Sequence, residues 1–184
     1  MLRVPRIFDF SGVLQSHKDV LLVNFTTSAD TTVTLFSSSW LDGNHGFDPM
    51  LGLWNSAGDL ITWQDDGGNV GATLSNGVSY NHGSWDSYYN ANISAGTYTV
   101  SLSTYYNAPV GSNLSDGFVY DNQNPIAFAN WNQPANGIQT GDYEFHVLNV
   151  DTASSDHDVP EPATMLLFGT GLAGLAGARF RRKK

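Results

Sequence analysis

Four aspartates stand where strand-like runs give way to turns. They are Asp48 in Gly46-Phe47-Asp48-Pro49, Asp65 and Asp66 ahead of Gly67-Gly68-Asn69, and Asp86 in Trp85-Asp86-Ser87. Carboxylates gathered at loop ends suit a hard cation. Calcium takes roughly six to eight oxygens from carboxylates, amides and backbone carbonyls, and loops supply these readily. Gly67 and Gly68 let the backbone turn its carbonyls inward. The spacing is not that of an EF-hand, which needs alternating ligands and a closing glutamate. The competing reading is Asx-turn capping, each side chain satisfying its own loop. On sequence both stay open, with Asp42 and Asn44 as further acidic and amide candidates and Asp59 shaping its own turn.

Aromatic rings are the second set that could do chemistry. Trp40, Trp54, Trp63, Trp85, Trp131, Tyr88, Tyr89, Tyr105, Tyr106 and Tyr120 are many for this length. Sugars stack on exposed aromatic faces, so an exopolysaccharide is a candidate ligand. Strand alternation buries about half of such rings, with Trp54 and Trp63 expected as cross-strand neighbours. Trp131, Tyr105 and Tyr106 lie in loop-like sequence and are the expected glycan platform.

Signs of catalysis are sparse, and the chain is not expected to be an enzyme. His17, His45, His82, His146 and His157 are scattered, without zinc-ligand spacing. There is no G-x-S-x-G elbow. A sandwich can bring distant carboxylates together for glycoside hydrolysis, but Glu144 is the one glutamate ahead of the tail. A hidden polysaccharide hydrolase therefore ranks third, after a structural or adhesive role and a carbohydrate-binding one.

The elements that must position these residues are strands. Leu21, Val23 and Phe25 alternate with polar or outward positions, as do Val33 and Leu35, then Tyr98, Val100 and Leu102, then Tyr143, Phe145 and Val147. Ser28-Ala29-Asp30 and Asn55-Ser56-Ala57-Gly58-Asp59 are each short enough to close a hairpin. With no helical pattern before the tail, the expectation is an all-β, antiparallel β-sandwich. The 184 residues suit one folded domain, here residues 1–150, with a loop-rich stretch at 105–141 and a polar linker at 151–160.

Charge is segregated. Of eight basic residues only Lys18 lies between Ile7 and Val159, against nearly all of the seventeen acidic ones. A body of that sign repels phosphate backbones, which argues against a nucleic-acid partner. There is no cysteine, so disulfides and thiolate chemistry are excluded.

The C-terminus differs from everything before it. Val159-Pro160-Glu161-Pro162 is followed by sixteen uncharged residues from Ala163 to Ala178, then by Arg179, Arg181, Arg182, Lys183 and Lys184. The apolar run is short of the roughly 20 residues of a comfortable span. Residues 163–180, with Arg179 snorkelling, nevertheless predict a single C-terminal transmembrane helix in the inner membrane. The basic cluster acts as a cytoplasmic stop. The three parts in this order resemble the PEP-CTERM protein-sorting signal of Gram-negative bacteria over residues 159–184. That resemblance implies export, processing by exosortase and delivery to the cell surface or extracellular matrix. The opening residues carry positive charge but no apolar signal-peptide core, so the natural start is expected upstream or the chain to have been trimmed.

A second likeness covers residues 7–107. Phe8-Asp9-Phe10-Ser11-Gly12 is followed by Asp19-Val20 and by Gly46-Phe47-Asp48-Pro49-Met50-Leu51-Gly52-Leu53-Trp54. Ser56-Ala57-Gly58-Asp59-Leu60, Asp65-Asp66-Gly67, Trp85-Asp86-Ser87 and Ser94-Ala95-Gly96-Thr97-Tyr98-Thr99-Val100 complete the series. The order resembles the bacterial pre-peptidase C-terminal (PPC) domain. It implies a jelly-roll-like sandwich, a non-catalytic module, and calcium held by some of these carboxylates. Residues 108–141 depart from the pattern.

Overall fold

Alternation decides the architecture. Leu21, Val23 and Phe25 of one strand, and Val33 and Leu35 of the next, are all buried. A strand can bury such a stripe only against another sheet. The computed structural model describes residues 6–156 apart from 44, 45 and 76. Two antiparallel sheets enclose one core. The first runs β1 (Arg6–Val13), β12 (Asp142–Val150), β3 (Thr31–Ser37), β8 (Tyr88–Ile93). The second runs β13 (Thr152–Ser155), β2 (Leu21–Thr27), β9 (Gly96–Thr104), β4 (Pro49–Asn55), β5 (Leu60–Gln64). One cluster of buried side chains draws on both: Val33, Leu35, Phe145 and Val147 from the first, Val23, Phe25, Leu51, Leu53, Val100 and Leu102 from the second.

The Asn55–Asp59 turn closes a hairpin, with Leu51 opposite Gln64 and Leu53 opposite Thr62. Asn55 shapes it, its Oδ1 accepting the N–H groups of Ala57 and Asp59 at 2.9 Å each. Trp63 stands opposite Gly52, and a register shift beyond Leu53 puts Trp54 opposite Leu60. The two tryptophans expected as cross-strand neighbours lie on paired strands but are not directly opposed: Trp54 is fully buried while Trp63 is half exposed.

Ser28-Ala29-Asp30 closes no hairpin. It carries the chain from β2 in the second sheet to β3 in the first, so the apolar stripes of these strands meet across the core. Asp30 anchors the crossing by accepting the N–H of Ala95 at 3.0 Å. The expected linker at 151–160 is also corrected over its first part. Thr152–Ser155 forms β13, pairing with β2 from Thr26 to Val23.

Between β9 and β12 the chain forms single 3-10 turns at Leu114–Asp116 and Phe128–Asn130 and a small hairpin of β10 (Asn132–Gln133) with β11 (Gly137–Ile138). This stretch also contributes Tyr120, Phe128 and Trp131 to the core. The hairpin of β6 (Gly71–Ser75) and β7 (Val78–His82) packs on the first sheet, where Tyr80 and His82 meet Phe36. Among the described residues no helix is long and apolar enough to cross a membrane. The expected transmembrane helix, the sorting motif and the basic stop lie outside the described residues.

Candidate metal site

The β4–β5 hairpin brings three of the four aspartates together. Asp48 immediately precedes β4 and Asp65 immediately follows β5. Antiparallel pairing places those two points at one end. One carboxylate oxygen from each of Asp48, Asp65 and Asp66 lies within 4.8 Å of the others. Burial is graded: Asp48 is 4% exposed, Asp65 is half-buried and Asp66 is exposed.

Backbone contacts fix the cluster. Ser87 Oγ lies 2.6 Å from the carbonyl oxygens of both Pro49 and Asp65, tying the start of β4 to the end of β5. The Tyr105 N–H donates to Asp48 O at 2.8 Å, and the Gly67 N–H to Asp86 O at 2.9 Å. Position 67 admits only glycine at this approach, since a Cβ there would stand 2.3 Å from that of Tyr88.

The electrostatics are those of negative charge short of a counter-ion. Asp48 Oδ2 accepts the Asn136 amide at 2.6 Å, but its Oδ1 has no hydrogen-bond partner, and neither has Asp65 Oδ1. Burial pushes the Asp48 carboxyl up to about 7; the Asn136 hydrogen bond opposes this, and the charges of Asp65, Asp66 and Asp86 add to it. Asp65 is pushed up to about 6, by burial and then by Asp66. Partial burial raises Asp66 as well. Neutralising such a set takes protons or a hard cation.

Asp86 does not join them. It is fully buried, and its Oδ1 accepts the Ser37 hydroxyl at 2.8 Å and the Trp40 N–H at 3.0 Å. Its Oδ2 accepts the N–H groups of Leu41 at 3.1 Å and Gly83 at 2.6 Å. Asp86 thus caps backbone N–H groups, but only that of Gly83 belongs to its own loop, the other partners coming from the 37–41 segment. Among the extra candidates, Asp59 is held in its turn by Asn55 Nδ2 at 3.2 Å, and Asn44 lies outside the described residues.

The expected glycan platform divides. Trp131 is buried, with ring centroids 5.2 Å from His17 and 5.7 Å from Phe128. Its loop folds back onto the core, which polar flanking sequence concealed. Tyr105 and Tyr106 stack at 4.2 Å, and Tyr106 is about half exposed. The Tyr105 hydroxyl is pushed up to about 12, first by its hydrogen bond with Tyr106, then by burial and the negative charge of Tyr106, Asp65 and Asp48.

One constellation escaped sequence reasoning. Asp9, His146 and Ser38 lie in a row across β1, β12 and the end of β3, with Asp9 directly opposite His146. His146 Nδ1 is 2.7 Å from Asp9 Oδ1, and Nε2 is 2.8 Å from Ser38 Oγ. These are acid–base–hydroxyl distances. Yet Ser38 Oγ also lies 2.8 Å from Glu144 Oε2, and the imidazole is buried between Phe36 and Tyr80. The row links β1, β12 and the end of β3. Residues on three strands far apart in the chain leave no local signal.

Compared with known protein families, residues 158–183 match the PEP-CTERM protein-sorting motif. No curated protein matches the chain. The chain thus carries a sorting signal for export and processing by exosortase at its C-terminus, attached to an all-β body.

Proposed function

We propose that this chain is an exported surface or extracellular-matrix protein whose body is a calcium-stabilised jelly-roll module with a structural or adhesive role. The observation that carries the calcium reading is the bare Oδ1 of Asp48, a buried carboxylate oxygen without a partner beside Asp65 and Asp66. The donor set is all hard oxygen, which fits calcium, and the residues that would hold it are Asp48, Asp65 and Asp66. Bound calcium would supply charge neutralisation and would lock the start of β4 to the end of β5.

Strand order supports the jelly-roll part. With β13 set aside at the edge of the second sheet, the orders β1-β12-β3-β8 and β2-β9-β4-β5, in which the chain alternates between the two sheets except at the β4–β5 hairpin, are what a jelly roll produces. That order and the quoted motifs favour the likeness to the PPC domain. A binding role rather than catalysis is favoured by the Asp9–His146–Ser38 row, whose hydroxyl is fastened to Glu144.

The test is thermal melting of a chelator-stripped preparation. Millimolar calcium is expected to raise the melting temperature, and Asp65→Ala with Asp66→Ala to abolish the rise. An unchanged melting curve in calcium removes the metal from this reading.

A further inference from the structure

Two stacked aromatic pairs are tethered to the carboxylate cluster. Tyr105, whose N–H bonds Asp48 O at 2.8 Å, stacks on Tyr106 with an interplanar angle of 26°. Trp85 precedes Asp86 and Ser87, the two residues that bond the Gly67 N–H and lie against Asp65 O. Trp85 stacks on Trp40 at 4.9 Å and 22°. Tyr106 is 47% exposed and Trp85 is 40% exposed.

Both pairs are held in place by buried polar groups. Asp86 pins the Trp40 and Leu41 amides on one loop and that of Gly83 on the other. Tyr106 has a φ of 70°, a left-handed conformation that costs a bulky residue on the order of 1 kcal/mol or more. The next residue locks this corner. Asn107 is fully buried, its Oδ1 accepting the Tyr120 N–H at 2.9 Å and its carbonyl the Ser103 hydroxyl at 2.8 Å. The strained backbone holds the Tyr106 ring with one face on Tyr105 and about half of its surface in solvent, which suits a ring kept ready for a ligand.

The chemistry narrows the ligand. Three carboxylates leave part of a calcium shell of roughly six to eight oxygens open. Adjacent hydroxyls of a sugar are hard oxygen donors, and the apolar face of a sugar ring covers an aromatic one. The acidic body, with net charge −9 for the chain, disfavours polyanions. We propose that this end of the sandwich binds a neutral polysaccharide, with adjacent hydroxyls of one sugar completing the calcium shell and sugar rings lying on Tyr106 and Trp85. The inference rests on the calcium reading and names the ligand class of that same site.

The test is electrophoresis of the purified full chain through gels containing mannan, whose residues carry adjacent cis hydroxyls, in calcium or in chelator. Polygalacturonate gels serve as the anionic comparison. Retardation by mannan is expected in calcium alone, with Tyr106→Ala and Trp85→Ala each weakening it about tenfold. Melting curves run in parallel should show that both variants keep the calcium-induced rise, which separates ring contact from metal binding. A calcium-induced rise with no mannan retardation overturns the glycan inference and leaves the metal site standing. Retardation that persists in chelator, that survives both substitutions, or that occurs on polygalacturonate instead also overturns it. Absence of the melting shift takes down the calcium reading and this inference with it.

Discussion

Asp48 and Asp86 look alike in sequence, each beside an aromatic residue at the edge of a strand, and both are buried. Their fates differ because of what faces their oxygens. Asp86 meets three backbone N–H groups and a hydroxyl; Asp48 meets one amide. That difference comes from loops distant in the chain, so residue type could nominate the aspartates but could not sort them. Asn136, the partner of Asp48, had no signal at all. The contrast has a consequence for pH. Folded Asp48 keeps its proton up to about pH 7, whereas its ordinary value is 3.8. The folded state then binds more protons than the unfolded one, so metal-free stability falls as pH rises from about 4 to 7. Asp48→Asn should remove this cost. In chelator at pH 7.5, urea melts of the variant are expected to show a gain on the order of a few kcal/mol over the parent, with no gain near pH 4. A variant no more stable than the parent at pH 7.5 would mean that the carboxylate is not under strain.

Elements were legible where apolar residues alternate and turn chemistry is local. The β4–β5 hairpin satisfies the second, its turn closed by Asn55, although β4 is buried along nearly its whole length rather than at alternate residues. The β2–β3 link satisfies only the first, because a three-residue connection does not say whether strands pair side by side or face each other across a core. β13 satisfies neither. Thr152-Ala153-Ser154-Ser155 is short and polar, and it is recruited by main-chain pairing to β2 and by a Thr26–Thr152 hydroxyl contact at 2.6 Å. The chain reaches it through the end of β12, where Asn149 has a φ of 66° at a break in the pairing with β1 and, just beyond the strand, the Asp151 N–H bonds Thr26 O at 2.9 Å. Such breaks let one strand leave a sheet and the next join its partner. β13 therefore covers the edge of β2, and an uncovered edge is a template for association. A chain ending at residue 150 is expected to melt lower and to associate more than one ending at residue 156, by calorimetry and light scattering. Equal melting and equal size would show that β13 contributes nothing.

Across the whole molecule, charge and location support each other. Carboxylates pushed up by burial make the metal-free body less stable near neutral pH, and extracellular calcium modules bind with dissociation constants of about 0.1–1 mM. At ten times such a constant, binding adds about 1.4 kcal/mol, which for a body of this size raises the melting temperature by roughly 4 °C. On the calcium reading proposed above, the module would gain its full stability only where calcium reaches that level, outside the cytosol and after export. The C-terminal sorting motif supplies that route, and its five terminal basic residues are the charge an acidic body would shed on processing. Loss of exosortase should therefore leave the chain at full length in the membrane fraction, while the parent strain releases a shorter and more acidic form to the surface or medium. Fractionation followed by intact-mass measurement distinguishes the two: a released form that still carries residues 179–184 would separate this body from the sorting pathway, whatever its affinity for calcium.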